Sequence, residues 1–224
     1  MEADMEGRIE DDQEEIEEME EMGEMEDEDN DGMEEYDKED DLNMAYYQGL
    51  QEMEALNLVD ISNLAAWSVS SFKPGHGVKA LQQDDANSFW QSDGGQPHYI
   101  DVHFSKRVSL QRVSLYTDFI ADESYTPSKL ALFCGTGYHD LQQVLTTQLS
   151  EPRGWVHLEL SPLRPDGVFK TFLVRLVVVQ NHQNGKDTHV RALKLFSPVQ
   201  PKSFEDSDEV GFTSIAFLSQ SQLR

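Results

Sequence analysis

From Trp67 onward the apolar residues recur at every second position, and this period restricts the fold more than any other feature of the chain. Ile100, Val102 and Phe104 alternate with Asp101 and His103, and Val113, Leu115, Thr117 and Phe119 alternate with Ser114, Tyr116 and Asp118. Successive side chains of a strand point to opposite faces, so alternation marks a strand with one face buried. Further strands are predicted at Leu130–Cys134, Asp140–Leu149, Trp155–Leu160, Phe169–Val179 and Val190–Phe196. The run "FKTFLVRLVVVQ" is apolar on both faces over Phe172–Val179, as expected for a central strand of a packed sandwich. Turn signals separate the runs: "KPGHG" at Lys73–Gly77, "SDGGQP" at Ser92–Pro97, "EPRG" at Glu151–Gly154 and "QNG" at Gln183–Gly185. About eight short strands without crossover helices predict an all-β fold, an antiparallel sandwich of the jelly-roll kind.

What precedes the strands differs in kind. Up to Met44 there are 24 acidic and 2 basic side chains, a net of −22, which leaves 19 acidic against 15 basic residues in the rest. The formal charge of −26 therefore belongs to the start of the chain. A segment with so little to bury cannot offset its ordering entropy, and residues 1–43 are expected to be a disordered acidic tail. Such a tail either keeps the protein in solution or serves as an arm for a basic partner. The run "NMAYYQGLQEMEALNLVDISNL" has no proline and places Leu50, Met53, Leu56 and Leu58 near helical spacing. One or two short helices are predicted there, with Asp60 or Ser62 as a cap. Residues 44–198 are read as one domain with an N-terminal helix, and 199–224 as a flexible C-terminal tail.

Several classes of function are disfavoured. No basic stripe interleaved with aromatics exists to release counterions from nucleic acid. No apolar run approaches the ~20 residues of a membrane helix, and "MEADMEGRIEDD" lacks the pattern of a secretory leader. A lone cysteine, Cys134, allows no internal disulfide and suits a reducing compartment, so nucleus and cytoplasm are expected. Cys134 is in phase with Leu130 and Leu132 and reads as a core thiol. No G-x-S-x-G elbow is present, and the adjacent acids Asp122 and Glu123 read as solvated loop carboxylates.

Two metal readings arise. His182 and His189 stand seven apart with Asp187 between them, but no second cluster completes four ligands, and hydrogen bonding in the loop is the better account. "QQDDANSFWQSDG" offers oxygen ligands for calcium, or an Asx-turn network leading into a buried tryptophan, which is preferred. No cofactor or metal is expected. What remains is a set of polar loops on a rigid sandwich, a common way to present a binding site, chemically suited to a peptide or a sugar.

The blocks "AAWSVSSFKPGHGV", "FWQSDGGQPHYIDVHF", "DESYTPSKL" and "NHQNGKDTHVRALKLFSPV" resemble the Doc domain of the anaphase-promoting complex, a cell-cycle ubiquitin ligase, over Val59–Pro198. The resemblance implies a jelly roll of the galactose-binding type, no catalysis, and a role as processivity factor and co-receptor. With a propeller co-activator, such a subunit holds the destruction-box degron of a substrate during ubiquitin transfer. Carried over motif by motif, the degron-binding candidates are Ser124, Tyr125, Asn181, His182, Gln183, Asn184, Asp187 and His189. A degron of the Arg-x-x-Leu kind presents amides and a cation, which amide and carboxylate side chains can meet. Asn181 and Ser124 stand first, although Asn181 can equally hold the loop closed, and Asn184-Gly185 is read as forming the turn itself. His189 can likewise be a satisfied sandwich-edge histidine.

The chain ends "AFLSQSQLR", with Leu223-Arg224 where the family has an apolar residue followed by Arg that enters the groove of a helical-repeat (TPR) scaffold subunit. The acidic tail matches nothing in the motif. The rival reading, from another class, is a carbohydrate-binding jelly-roll module.

Overall fold

A computed structural model describes residues 43–199. Residues 1–42 of the predicted acidic tail and Leu223-Arg224 lie outside the described residues, and Asn43, the last residue of that tail, begins a helix.

Residues 43–55 form helix α1. Its inward stripe is Tyr46, Leu50 and Met53, spaced by four and three so that they share a face. Asn57 stops the helix in the left-handed region at φ +55°, which asparagine tolerates better than most residues. The predicted helix does not continue to Leu64. Leu58–Asp60 is instead strand β1, and Ser62–Leu64 a 3-10 turn. Asp60 does act at that turn, its carboxylate accepting from the Ser62 backbone N–H at 2.8 Å. Helical spacing misled here because β1 is made by pairing with residues 196–198, far along the chain.

The remaining elements are β2 (Ala65–Val69), α2 (Val78–Gln82), β3 (Trp90–Gln91), β4 (His98–Leu110), β5 (Arg112–Asp118), α3 (Phe119–Asp122), β6 (Pro127–Gly135), β7 (Gln142–Gln148), β8 (Arg153–Glu159), β9 (Phe169–Asn181), β10 (His189–Val190) and β11 (Ala192–Pro198). They form a four-stranded sheet in the order β1-β11-β5-β8 and a five-stranded sheet β2-β4-β9-β6-β7, with β3 and β10 a separate pair. All pairings are antiparallel. This is the expected jelly-roll sandwich.

Alternation sets the core. Ile100, Val102, Phe104, Leu130, Leu132, Val174, Leu176 and Val178 face inward from the larger sheet, meeting Val113, Leu115, Leu158, Leu193 and Leu195 from the smaller. Cys134 lies among them, and burial pushes its thiol up to about 12, so it is a core residue as expected. Trp90 is fully buried, its indole N–H donating to the Ser71 carbonyl at 2.9 Å.

Three readings of the alternation are corrected. Strand β5 is buried on both faces, because α1 covers its outer side: the Tyr46 ring lies 5.1 Å from Tyr116 and 5.0 Å from Trp155, whose indole N–H donates to the Tyr46 carbonyl. The predicted strand Val190–Phe196 is split at Arg191, with β10 leaving for a different partner than β11. Strand β9 is apolar on both sides, but only its inner face is packed into the sandwich. Val177 and Val179 on its outer face line an open groove.

Candidate functional site

The chain has folded three polar segments onto one end of the sandwich: residues 92–98 leading into the start of β4, 122–126 from the end of α3, and 181–188 from the end of β9. The junction starts at a local signal. Asp118 ends β5 and caps α3, its Oδ1 accepting from the N–H groups of Ile120 and Ala121 at 2.9 and 3.3 Å. The chain then turns through Glu123 at φ +43°, leaving Ser124 half-buried and Tyr125 exposed.

The 181–188 loop is built by Asn181. Its side chain is buried, and its Nδ2 donates to the carbonyls of Gly185 (3.2 Å) and Asp187 (2.7 Å). Gln183 and Asn184 follow in the left-handed region, at φ +50° and +58°, and project from the surface. Gly185 must be glycine because of what it touches, not because of its φ. A Cβ there would overlap the Ser124 carbonyl oxygen and lie 2.6 Å from its carbon. The backbones of the two loops are therefore in direct contact.

The 92–98 loop supplies the remaining struts. Gln96 Nε2 donates to the Gly185 carbonyl at 2.7 Å, and the His98 ring Nε2 lies 2.7 Å from the Lys186 carbonyl. Ser92 Oγ accepts from the Thr188 N–H at 2.9 Å, while Thr188 Oγ1 donates to the Tyr125 carbonyl at 3.2 Å. Asp187 pairs with Lys73 at 3.3 Å, so its carboxylate already has a cation.

Beneath the loops lies a charged and aromatic support. His189 is held between Tyr125 and Phe89, with both ring centroids 4.3 Å away and interplanar angles of 14° and 27°, and His76 stacks on Phe89 in turn. His189 Nδ1 lies 3.0 Å from Asp122, and Arg191 grips the same carboxylate through Nε and Nη2 at 2.9 Å each. Burial alone would raise the Asp122 pKa. The hydrogen bonds from His189 and Arg191, with their charge, outweigh it and hold the carboxyl below its ordinary value. Of the adjacent acids read as solvated, Glu123 is exposed, but Asp122 is buried, because Arg191 reaches it from the break between β10 and β11, far away in sequence.

The eight candidates thus divide. Gln183, Asn184 and Tyr125 present groups at the surface, with Ser124 half-buried beside them. Asn181, Asp187 and His189 are engaged inside the framework, and the half-buried His182 meets the Phe119 ring edge-on at 4.9 Å. His182, Asp187 and His189 do not gather into a group able to hold a metal ion among the described residues. In "QQDDANSFWQSDG", Asp85 Oδ1 accepts from the Asn87 N–H at 2.9 Å, the Asx turn expected from the sequence. Sequence reasoning missed Gln96, Thr188, Arg191 and Phe89. Only the density of polar residues in "WQSDGGQPH" hinted at the first.

Fold and loop cluster together define a class: a jelly-roll domain of the galactose-binding type that offers polar loops at one end. Solved structures share that fold. A family 32 carbohydrate-binding module from Clostridium perfringens NanJ, in complex with galactose, aligns with a TM-score of 0.53 at 10% identity, over 62% of this chain and 99% of that one. The paired modules CBM32-1 and CBM32-2 of Clostridium perfringens ZmpB reach 0.57 at 13% identity, over 67% and 38%. At such identities the likeness concerns the fold alone.

Sequence comparison is narrower. The model of the family described as "Anaphase-promoting complex, subunit 10 (APC10)" matches residues 31–222, and the chain belongs to that family. Anaphase-promoting complex subunit 10 of Schizosaccharomyces pombe is 44% identical over 74% of this chain and 88% of its own length. The Homo sapiens subunit 10 is 41% identical over 64% and 77%, and subunit DOC1 of Saccharomyces cerevisiae 36% identical over 71% and 64%. These relatives are named as subunits of a complex, in keeping with an accessory rather than a catalytic role.

Proposed function

We propose that the chain serves as a non-catalytic, substrate-recognition subunit of the anaphase-promoting complex ubiquitin ligase, and that its loop end is a co-receptor surface for the destruction-box degron. The observation that carries this is the convergence of three polar loops, from distant parts of the chain, into one hydrogen-bonded platform that exposes the amides of Gln183 and Asn184 and the Tyr125 ring beside the charged Asp93, Glu123 and Lys186. Gln183 and Asn184 both donate and accept, as an extended peptide backbone requires, and Ser124 and Tyr125 add hydroxyls. Asn181, His182, Asp187 and His189 set the shape of the platform. A small surface of this kind binds weakly by itself. Shared engagement with a propeller co-activator raises the effective concentration of the degron and prolongs each encounter, which makes ubiquitination processive.

The test is binding of a fluorescent Arg-x-x-Leu peptide to the co-activator with and without the full chain. A gain that depends on the chain, and falls in Ser124→Ala and Gln183→Ala, supports the reading. No gain, or a glycan-array signal in its place, overturns it in favour of a carbohydrate-binding module. Leu223-Arg224 offers an apolar side chain and a guanidinium to a TPR scaffold subunit. Deleting the pair should weaken co-purification with the scaffold while the domain stays folded; unchanged co-purification would sink the tail assignment. The role places the chain in nucleus and cytoplasm, which exclusion of the tagged protein from the nucleus would refute.

A further inference from the structure

The outer face of the five-stranded sheet carries an open groove of about 490 Å³, within the ~300–1,000 Å³ range of small binding clefts. Its walls include Tyr99, Phe133, Tyr138, Val177 and Val179, and Tyr138 is 58% exposed. Apolar residues on the solvent side of a strand have no part in the core, and grouped in a cleft they mark a surface that something covers. Among the described residues, the one charged side chain in the lining is Arg175. Asp101 engages it through Nε and Nη2 at 2.6 and 2.8 Å, and its guanidinium lies over the rings of Tyr99 (4.1 Å) and Tyr138 (5.4 Å). The cation is thus neutralised and pinned, so the groove selects for uncharged, apolar side chains.

The groove is continuous with the loop platform. Pro97 lines it, while the preceding residue, Gln96, holds the Gly185 carbonyl. Val179 lines it two residues before Asn181. From Arg175 to Val179 the lining follows β9 for about 13 Å, the span of four extended residues at ~3.3 Å each.

We infer that this groove receives an apolar flank of the degron peptide, about four residues long, that leaves the loop platform past Pro97 and lies extended against β9. The inference rests on the degron reading of the loops. It adds a second determinant, by which substrates with the same Arg-x-x-Leu core are graded according to the residues beside it.

The experiment uses the full chain with the co-activator and three kinds of fluorescent peptide: the core alone, the core with four Val or Leu residues on either side, and the core with Glu or Lys in those positions. One apolar flank should tighten binding by about fivefold to tenfold. That gain should vanish in Val177→Thr/Val179→Thr, a near-isosteric change that leaves the urea midpoint and the affinity for the bare core as they were. A benzophenone placed in the flank should cross-link to the groove wall at Tyr99 or Tyr138. Core binding with no gain from either flank, an equal gain from charged flanks, or cross-links elsewhere would overturn the groove and leave the loop reading standing. Failure of the core itself to bind would remove both.

Discussion

Replacing Gly185 with alanine should pry apart the two loops that make the platform. Its φ of −56° is open to alanine, so the effect is purely one of contact. The new Cβ would sit 2.6 Å from the Ser124 carbonyl carbon, against an ordinary contact of 3.4 Å or more, and closer still to the oxygen. One backbone must retreat by about 1 Å, and overpacking of this kind costs about 1–3 kcal/mol. The Gly185 carbonyl also accepts from Asn181 Nδ2 and Gln96 Nε2. Losing either bond adds about 0.5–1.5 kcal/mol. A fall in unfolding free energy of about 2–4 kcal/mol is expected, read from urea denaturation as a lower midpoint at unchanged slope. Degron peptide binding should fall with it, because Ser124 and Tyr125 shift relative to Gln183 and Asn184. A variant within ~0.5 kcal/mol of the parent that still binds peptide would refute the claim that this contact sets the platform.

Asn181→Ala removes the donor to two loop carbonyls and should cost about 1–3 kcal/mol of stability, whereas Ser124→Ala should leave stability unchanged and reduce peptide binding alone. Matching urea curves for Asn181→Ala and the parent would show the amide to be free for ligand. Asp122→Ala leaves the buried Arg191 without its carboxylate and should lower unfolding free energy by about 3–5 kcal/mol; a loss under 1 kcal/mol would mean the pair is solvated. Burial, joined by the nearby Arg112 charge, lowers the pKa of His157 from its ordinary 6.5. The folded state then holds the proton less tightly than the unfolded chain, so this contribution is present above pH ~6.5 and is lost as pH falls through the lowered value. His157→Gln should remove that part of the acid-side slope of stability, and parallel slopes for parent and variant would refute it.

The sandwich was legible in the chain before any packing was known. Period-two alternation and glycine- or proline-marked turns are local signals, and most predicted strands stand within a residue or two of those observed. The blocks "WQSDGGQPH", "DESYTPSK" and "NHQNGKDTH" also stood out together as polar runs between the alternating segments, although Ser92, Thr126, Asn181 and Thr188 within them are buried. The rest waited on the folded molecule, because the deciding partners are far apart in sequence. Leu58–Asp60 is a strand by virtue of Phe196–Pro198. The outer face of β5 is dry because Tyr46 covers it. Among the platform residues the same principle assigns roles. Asn184 takes the left-handed turn conformation and also projects outward, while Asn181 spends its amide on Gly185 and Asp187, carbonyls that come within reach only once the loop has closed. Asp122 looked like one of two solvated acids until Arg191 and His189 met it beneath the loops. Alternation says which face of a strand is buried; what buries it, and what a polar group bonds to, is set by the packing of distant elements.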